Sequence, residues 1–277
     1  MVVEDFSLGA GSVTFVFLSG TTSAEAITDA ATLFIVGDAV PEGSSPRQDS
    51  TRPRNIASNK TQIFRQDVRM TGTRMATQMY AVANELRKQI ELRTMEYKRS
   101  LERTAILGFK DAGSSAETQM MGGIYYYLKG ESGTHIDSTN TSLTESVLNN
   151  IIKGVMEKGG TPDTLLVGFD RQQDLSAWDV AKKRTRPDTR IAGYYVTQYL
   201  SDLGCVVDIL VSRWVPKNLA FVLEKNKIKL RAMQGRKFIL EKLGKKGDYT
   251  EYQLISEVSM EFNGYNLGQH GMASALS

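Results

Sequence analysis

The sequence predicts an α+β fold, in which helices and strands are grouped instead of alternating one by one. One long segment, residues 74–107, contains neither Gly nor Pro and has helical periodicity. A strand-like segment precedes it, and several strand-like segments follow one another in the second half of the chain. This order does not give a regular series of strand–helix–strand units, so α+β describes it better than a doubly wound α/β class.

Length and composition are those of a folded protein with one large or two modest domains. The chain has 277 residues, of which 41% are hydrophobic and 23% are charged. Its single cysteine, Cys205, and its two histidines, His135 and His270, exclude an internal disulfide framework and a Cys/His zinc cluster. The longest apolar runs are too short to span a bilayer, and the acidic start MVVEDF is unlike a secretory signal. We therefore expect a protein of a reducing compartment, with no membrane partner.

The first 55 residues lack the pattern of a core. Two short apolar segments, SVTFVFL and ATLFIVGDAV, are separated by Gly, Thr and Ser and are typical of strands in an arm or hairpin. Residues 41–55, PEGSSPRQDSTRPRN, are rich in Pro, Ser and Arg and have no periodicity. They predict a loop or an exposed tip.

A two-faced strand is predicted next, over residues 63–70. One face carries the side chains of Phe64, Gln66, Val68 and Met70. The opposite face carries those of Ile63, Arg65, Asp67 and Arg69. The strand meets the following helical segment at a single Thr-Gly-Thr step.

The helical segment, residues 74–107, predicts a continuous rod about 50 Å long. Gly108 stands where a helix-ending glycine is expected. A coiled coil is the alternative, although the apolar stripe departs from a strict heptad after its first four steps. That stripe consists of Met75, Met79, Val82, Leu86 and Ile90.

A second helix follows a Gly- and Tyr-rich stretch, MMGGIYYYL. Ser142 and Glu145 have the spacing of a capping box, and Gly159 ends the helical pattern. The segment TLLVGF then predicts a buried strand, and residues 170–183 predict a third helix. The buried face of the second helix is expected to contain Val147, Leu148, Ile151, Ile152, Val155 and Met156.

The remaining segments predict strands: AGYYVTQYL, CVVDILVS, LAFVLE, KIKLRA and YTEYQLISEVSMEF. In KIKLRA, Ile228, Leu230 and Ala232 are expected to face inward. In the last segment, the alternation places Leu254, Val258, Met260 and other apolar residues on one face and glutamates on the other.

Charge is distributed unevenly along the chain. Residues 1–51 contain seven acidic residues and one basic residue, a net charge of −6, whereas residues 52–110 contain thirteen basic and five acidic residues, a net charge of +8. An acidic arm and a basic rod permit attraction between copies, or between the rod and an anionic polymer. The alternative is two solvated surfaces of opposite sign.

Signals for enzymatic chemistry are weak. Cys205 lies among strand residues without a neighbouring base, and the two histidines lie in polar or terminal segments. Gly9-Ala-Gly11 lacks the third glycine of a dinucleotide fold, and LGKKGDY lacks phosphate-loop spacing. We therefore assign no catalytic, cofactor-binding or metal-binding residues and expect no cofactor.

Six segments carry a resemblance when they are taken together and in order: NKTQIFRQDVRMTGT, ELRKQIELRTMEYKRSLERTAILG, TQMMGGIYYYL, LTESVLNNIIKGVMEKGGTPDTLLVG, YLSDLGCVVDILVSRWVP and GDYTEYQLISEVSMEFNGYNLG. They resemble the major capsid (major head) proteins of tailed bacteriophages, which have the Hong Kong 97-type fold. Among these, they resemble the group typified by the major head protein of podovirus-like phages. The resemblance covers roughly residues 40–275.

The resemblance implies four structural parts. It implies an N-terminal arm over residues 1–37 and an extended loop over residues 38–70. A peripheral domain with a long spine helix would comprise residues 71–124 and 236–277, and an axial domain residues 125–235. About forty residues precede the loop, fewer than is usual for the family. On this basis, we expect contacts between subunits at Arg52, Arg54, Lys60, Arg65, Arg69, Arg87 and Lys88.

The implied function is structural: self-assembly into hexamers and pentamers of an icosahedral phage head that encloses double-stranded DNA. DNA would be bound non-specifically on the inner face, and portal and decoration proteins are further implied partners. The location would be the virion, assembled in the cytoplasm of a host bacterium. Two alternatives are an encapsulin-like compartment shell of the same fold and, in a different class, a basic nucleic-acid-binding protein.

Overall fold

The computed structural model describes residues 42–43, 56–77, 84–113, 119–130, 135–140, 142–178, 183–187, 194–244 and 247–276. The chain divides into two compact units, residues 1–56 and residues 57–277. The architecture below is that of the second unit. The two expected apolar segments, residues 12–18 and 31–40, lie outside the described residues, as do residues 41 and 44–55 of the expected tip.

The first sheet of the second unit has four strands around one long central strand. Strand β1 (Gln62–Thr71) pairs antiparallel over all of its residues with the first part of β10 (Tyr249–Phe262). Strands β8 (Ile228–Ala232) and β9 (Ile239–Lys242) pair one after the other with the opposite side of β10. The strands predicted at 63–70, in KIKLRA and at the end of the chain are therefore confirmed.

The alternation predicted for the first sheet is confirmed for its apolar residues, with two exceptions: Leu230 is half exposed, and Glu257, expected on the polar face, is buried. Phe64, Val68 and Met70 are buried, as are Leu254 and Val258 in β10. Leu230 was expected to face inward, and its partner in the register is the buried Met260. Its side chain is nevertheless 49% exposed, because it lies on an edge strand.

The predicted continuous rod over residues 74–107 is wrong. A short helix α1 (Gly72–Ala76) ends at Thr77, and helix α2 (Glu85–Leu107) begins after Asn84. Both Thr77 and Asn84 have extended backbone conformations. The Asn84 side chain accepts a hydrogen bond from the Arg87 N–H at 3.0 Å, which starts a new helix. With 23 residues, α2 is about 34 Å long.

The end of α2 is correctly predicted at Gly108, but for a different reason. The φ of Gly108 is −60°, so no left-handed conformation requires the glycine. A Cβ atom at Gly108 would lie 2.4 Å from the carbonyl oxygen of Thr104 and 2.6 Å from that of Met121. The N–H of Gly123 donates to the Gly108 carbonyl at 2.8 Å. These glycines permit close approach of two backbone segments, after which helix α3 (Ile124–Gly130) begins.

Helix α4 (Glu145–Glu157) confirms the second predicted helix, although not its capping box. The capping residue is Thr144, whose side chain accepts from the Val147 N–H at 3.3 Å. Thr144 lies next to the helix, whereas Ser142 is too far upstream to reach its first turn. The predicted face is buried except for Met156, which is 39% exposed.

The third predicted helix is correct in part. Helix α5 (Phe169–Ala177) ends where Trp178 adopts an extended backbone. The Trp178 ring packs edge-to-face on Tyr199, with 5.5 Å between centroids. Residues 179–182 of the predicted helix lie outside the described residues, and its last residue, Lys183, begins a strand, Lys183–Pro187, that pairs with a neighbouring strand.

The second sheet has seven strands: β2 His135–Asp137, β3 Thr164–Val167, β4 Lys183–Pro187, β5 Tyr194–Leu200, β6 Val206–Val211, β7 Ala220–Leu223 and β11 Gly271–Ala273. Their order in the sheet is β2-β11-β7-β3-β6-β5-β4. Helices α4 and α5 and the central strands enclose one apolar core, against which Cys205 packs as a partly buried side chain. This placement agrees with a structural cysteine.

A second apolar core joins the two sheets. Phe221 and Leu223 of β7 are buried in the same cluster as Met260 and Phe262 of β10 and Met272 of β11. Tyr97 of α2 belongs to this cluster too. The four-stranded sheet, α2 and the seven-stranded sheet are thus held together by shared apolar contacts.

Candidate functional site

His270 forms a fully buried polar link between the two sheets. Its Nδ1 accepts a hydrogen bond from the N–H of Glu224, just after β7, at 3.2 Å. Its Nε2 lies 2.9 Å from the carbonyl oxygen of Asn263, just after β10. Because Nδ1 is an acceptor, the ring proton is on Nε2, which donates to Asn263. The ring packs on Phe262, with 4.5 Å between centroids.

Charged groups surround this link. Burial lowers the pKa of His270 below its ordinary value of 6.5, and the nearby Lys227 lowers it further. The hydrogen bond to the Asn263 carbonyl, followed by the charges of Glu224 and Asp163, acts in the opposite direction but does not reverse the lowering of the pKa. Glu224 is held by Lys227 Nζ at 2.7 Å and by the N–H of Thr161 at 3.1 Å.

A pH dependence of stability follows from the lowered pKa of His270. His270 resists protonation in the folded chain. Its contribution to the free energy of unfolding is therefore complete above about pH 6.5 and is lost progressively as the pH falls below that value. We expect the thermal midpoint of the wild type to decrease when the pH is lowered from 7.5 to 5.5. His270→Gln should lower the midpoint at neutral pH but flatten this dependence.

The control for this experiment is His135→Gln, at the only other histidine of the chain. It should retain the pH dependence of the wild type. All midpoints are compared at one scan rate, because unfolding of a large chain is often irreversible. Equal pH dependence in His270→Gln and the wild type would contradict the role assigned to His270.

The face of the four-stranded sheet opposite α2 is charged. Arg65 pairs with Asp67 at 2.9 Å, and the hydrogen bond from Arg65 lowers the pKa of Asp67. The Arg69 guanidinium lies 3.5 Å from the ring centroid of Tyr249. Surface pairs such as these contribute about 0–1 kcal/mol each, so their stabilising effect within one chain is small. Such a face is available for contacts with other molecules.

The outer edge of the same sheet is basic. Residues 225–242 contain seven Lys or Arg and one Glu, a net charge of +6. Arg231 pairs with Glu261 at 2.6 Å, and Arg236 with Glu257 at 3.4 Å. The hydrogen bond from Arg231 lowers the pKa of Glu261. Arg231 and Arg236 are therefore partly neutralised by β10.

Within the residues that the structure describes, no three His, Cys, Asp or Glu side chains are grouped so that they could hold a metal ion. None of the described helices combines the length and the apolar composition needed to cross a membrane. The features described above are the buried His270 link, the charged face of the four-stranded sheet and the basic edge of the same sheet.

A sequence match spans nearly the whole chain. The family described as the SU10 major capsid protein matches residues 9–273. The chain belongs to this family. The major capsid protein of Escherichia phage Phieco32 is 23% identical over 278 residues, which cover 79% of this chain and 76% of that protein. The predicted resemblance to phage capsid proteins is confirmed.

The Hong Kong 97-type fold of this capsid protein is confirmed by solved structures. The capsid of cyanophage A-1(L) superimposes with a TM-score of 0.56 at 12% identity, covering 76% of each chain. The holo-SrpI encapsulin complex of Synechococcus elongatus PCC 7942 gives a TM-score of 0.54 at 12% identity, covering 78% of this chain and 74% of that one. Such low identities show the fold alone. The family match therefore decides in favour of a phage capsid over an encapsulin-like shell.

The residues expected at subunit contacts do not form one patch on this capsid protein. Arg65 and Arg69 lie on the charged face of the first sheet, whereas Arg87 and Lys88 are exposed in the first turn of α2, which packs on the other face. Lys60 is half-buried just before β1. The two remaining expected contacts, Arg52 and Arg54, lie outside the described residues.

Sequence reasoning missed the basic edge formed by β8 and β9. The signal was present as seven basic residues within residues 225–242. Acidic residues elsewhere in the second half of the chain balance this charge, because residues 111–277 contain twenty basic and nineteen acidic residues. The register with β10 was needed to identify β8 and β9 as one edge.

Proposed function

We propose that this protein self-assembles into the hexamers and pentamers of the icosahedral head of a tailed bacteriophage. The observation that carries the proposal is the capsid family match over residues 9–273. The fold shared with a cyanophage capsid supports it. The work of such a protein is structural: many interfaces of weak to moderate strength act together in a closed shell.

The parts of the shell protein are assigned from sheet membership. We assign α2 and the four-stranded sheet to the peripheral domain and the seven-stranded sheet to the axial domain. We assign β8 to the peripheral domain instead of the expected axial domain, because it pairs with β10. We assign β11 to the axial domain instead of the expected peripheral domain, because it pairs with β7. Residues 1–37 remain the proposed arm, and the extended loop is shortened to residues 38–61 because β1 belongs to the first sheet.

Subunit contacts in the shell are proposed at the exposed arginines of the first sheet, Arg65 and Arg69, at the start of α2, and at Arg52, Arg54 and Lys60. The exposed charges of Arg65, Arg69 and the first turn of α2 support this choice, since oppositely charged surfaces guide association and fix its register. The double-stranded DNA inside the head would be held non-specifically, through its phosphates. Portal and decoration proteins complete the proposed partners, and assembly would take place in the host cytoplasm.

A different class of function, nucleic-acid binding by the single chain, is favoured only by the net charge of +8 over residues 52–110. That function predicts tight binding of DNA by the isolated chain, with an affinity that falls steeply with salt. The capsid proposal predicts weak binding by the isolated chain.

Negative-stain microscopy of the purified full chain tests the proposal. We expect closed, hollow particles of uniform diameter or, before assembly, rings of five and six copies. A protein that stays monomeric over a range of concentration and salt, and that binds DNA tightly, would support the nucleic-acid-binding function and contradict the shell.

A further inference from the structure

A group of basic side chains lies where the second half of α2 meets the loop between β6 and β7. Arg99 and Arg103 are exposed on α2, one turn apart and about 6 Å from each other along the helix axis. The loop, residues 212–219, carries two further exposed basic side chains, Arg213 and Lys217. We call these four residues the basic cluster.

Two contacts fix the loop against the helix. The Ser212 hydroxyl donates a hydrogen bond to the Glu102 carboxylate at 2.6 Å. The Arg103 guanidinium lies 4.1 Å from the ring centroid of Trp214. Arg213 stands between these two loop residues in the chain, so the fold brings it next to the arginines of α2. The basic cluster is thus assembled before any ligand binds.

The basic cluster differs from the other arginines in its lack of ion pairs. Seven arginines elsewhere in the described residues pair with Asp or Glu. Within the same part of the chain, none of the four cluster side chains forms an ion pair. The acidic residue at the contact, Glu102, is bonded by a serine instead of an arginine. Four basic residues and one acidic residue leave a net charge of +3.

This arrangement does not stabilise the single chain. Like charges four residues apart, as at Arg99 and Arg103, weaken a helix slightly, and no ion pair compensates for it. Guanidinium groups bind phosphate and carboxylate oxygens through two parallel hydrogen bonds. A fixed group of unpaired arginines therefore suits an anionic ligand supplied by another molecule.

We propose that the basic cluster binds the phosphate groups of double-stranded DNA, and that it is a point at which the wall of the shell contacts the packaged DNA. This inference rests on the proposed function, which places DNA inside the head without naming the residues that contact it. Phosphates carry no sequence information, so DNA of any sequence is bound alike.

An acidic segment of a neighbouring copy is the competing occupant, because carboxylates also pair with arginine. Arg99 and Arg103 lie on a helix, whose backbone groups are bonded within the helix and are closed to a polypeptide strand. A polypeptide would thus be held by its side chains alone. DNA presents a phosphate about every 3.4 Å along each strand, so both arginines can reach phosphates of one strand. DNA is therefore the better match.

Fluorescence anisotropy of a short labelled DNA duplex, titrated with the full chain over a salt series, tests the site. Binding by the single chain is expected to be weak, so the series begins at low salt, where phosphate contacts are strongest. In Arg99→Gln with Arg213→Gln, the slope of log affinity against log salt should become shallower by about 1.8, because each lost phosphate contact removes about 0.9. The affinity at low salt should fall roughly tenfold or more. The thermal midpoint should not change, because among the described residues neither side chain forms an ion pair.

The matched control is Arg74→Gln with Arg93→Gln. It removes the same number of positive charges, but Arg74 and Arg93 are paired with Glu85 and Glu96. We expect its slope and affinity to stay close to those of the wild type. Equal losses in the two variants would show that net charge alone holds the DNA and would overturn the inference. An unchanged slope in the cluster variant would overturn it too.

Labelled polyglutamate is the second probe, chosen for the competing occupant. Tighter binding of polyglutamate than of the duplex would assign the basic cluster to an acidic polypeptide and overturn the inference. Slower shell assembly by the cluster variant at an unchanged DNA affinity would do the same. Both results would leave the proposed function intact. A wild type that binds DNA through the basic cluster, yet forms no closed particle by microscopy, would support the site and contradict the proposed function.

Discussion

Met95→Pro should unfold or severely destabilise the protein. Met95 lies in the interior of α2, where its N–H donates within the helix, and its side chain is exposed. Proline there removes one helical hydrogen bond and clashes with the preceding turn, at a cost of about 3 kcal/mol or more. For a chain of this size, we expect the thermal midpoint to fall by about 6 °C or more. Thermal unfolding followed by circular dichroism measures this effect.

Two matched variants isolate the backbone effect. Met95→Ala removes the same side chain but keeps the hydrogen bond, so it should change the midpoint little. Leu86→Pro places proline in the first turn, where the N–H has no acceptor within the helix, and should cost clearly less. Equal losses from Leu86→Pro and Met95→Pro would contradict the start of α2 after Asn84.

Deleting residues 43–54 should abolish closed shells while leaving a folded chain. This segment contains no aliphatic, aromatic or Met side chain, so a core cannot depend on it. It is the tip of the proposed extended loop, which we expect to overlap a neighbouring subunit, so its loss should weaken the contacts between copies. We expect an unchanged thermal midpoint and, by microscopy, open fragments or free capsomers in place of shells.

A Gly/Ser segment of equal length, in place of residues 43–54, is the control for chain connectivity. It restores the length of the loop but not Arg47, Arg52 and Arg54, and should form shells more efficiently than the deletion variant. Normal shells from the deletion variant would show that this loop is not needed for assembly.

Periodicity predicted which residues of the fold face inward, but not where the backbone changes direction. Residues 74–107 carry a helical stripe, yet the chain leaves the helix at Thr77 and re-enters it after Asn84. A stripe depends on side-chain spacing, whereas a helix start depends on one short polar side chain that bonds an N–H group. The same distinction explains why Thr144, and not Ser142, caps α4.

The alternation of apolar and polar residues predicted burial in strands that a helix covers, but not in a strand at the edge of a sheet. The apolar side chains of β1 and β10 are buried on the predicted face because α2 packs on those two strands. Leu230 has the same alternation but lies on the edge, so half of its side chain remains exposed. Sheet order depends on contacts between residues far apart in sequence, and no local pattern encodes it.

The candidate surfaces were predictable by residue type but not by arrangement. Arg65 and Arg69 were expected on one strand face and lie there, whereas the link through His270 was missed. That histidine lies in the C-terminal segment, and its role arises only because the ends of β7 and β10 meet around it. A lone histidine carries no such signal in the sequence.

An icosahedral reconstruction of particles of the purified full chain, by electron cryo-microscopy, tests the central claim most directly. The account predicts a closed shell in which the seven-stranded sheets surround the fivefold and sixfold positions. It also predicts that the four-stranded sheets and α2 lie at the periphery of each capsomer. A chain that forms no closed particle, or a shell with the four-stranded sheets around those axes, would contradict it.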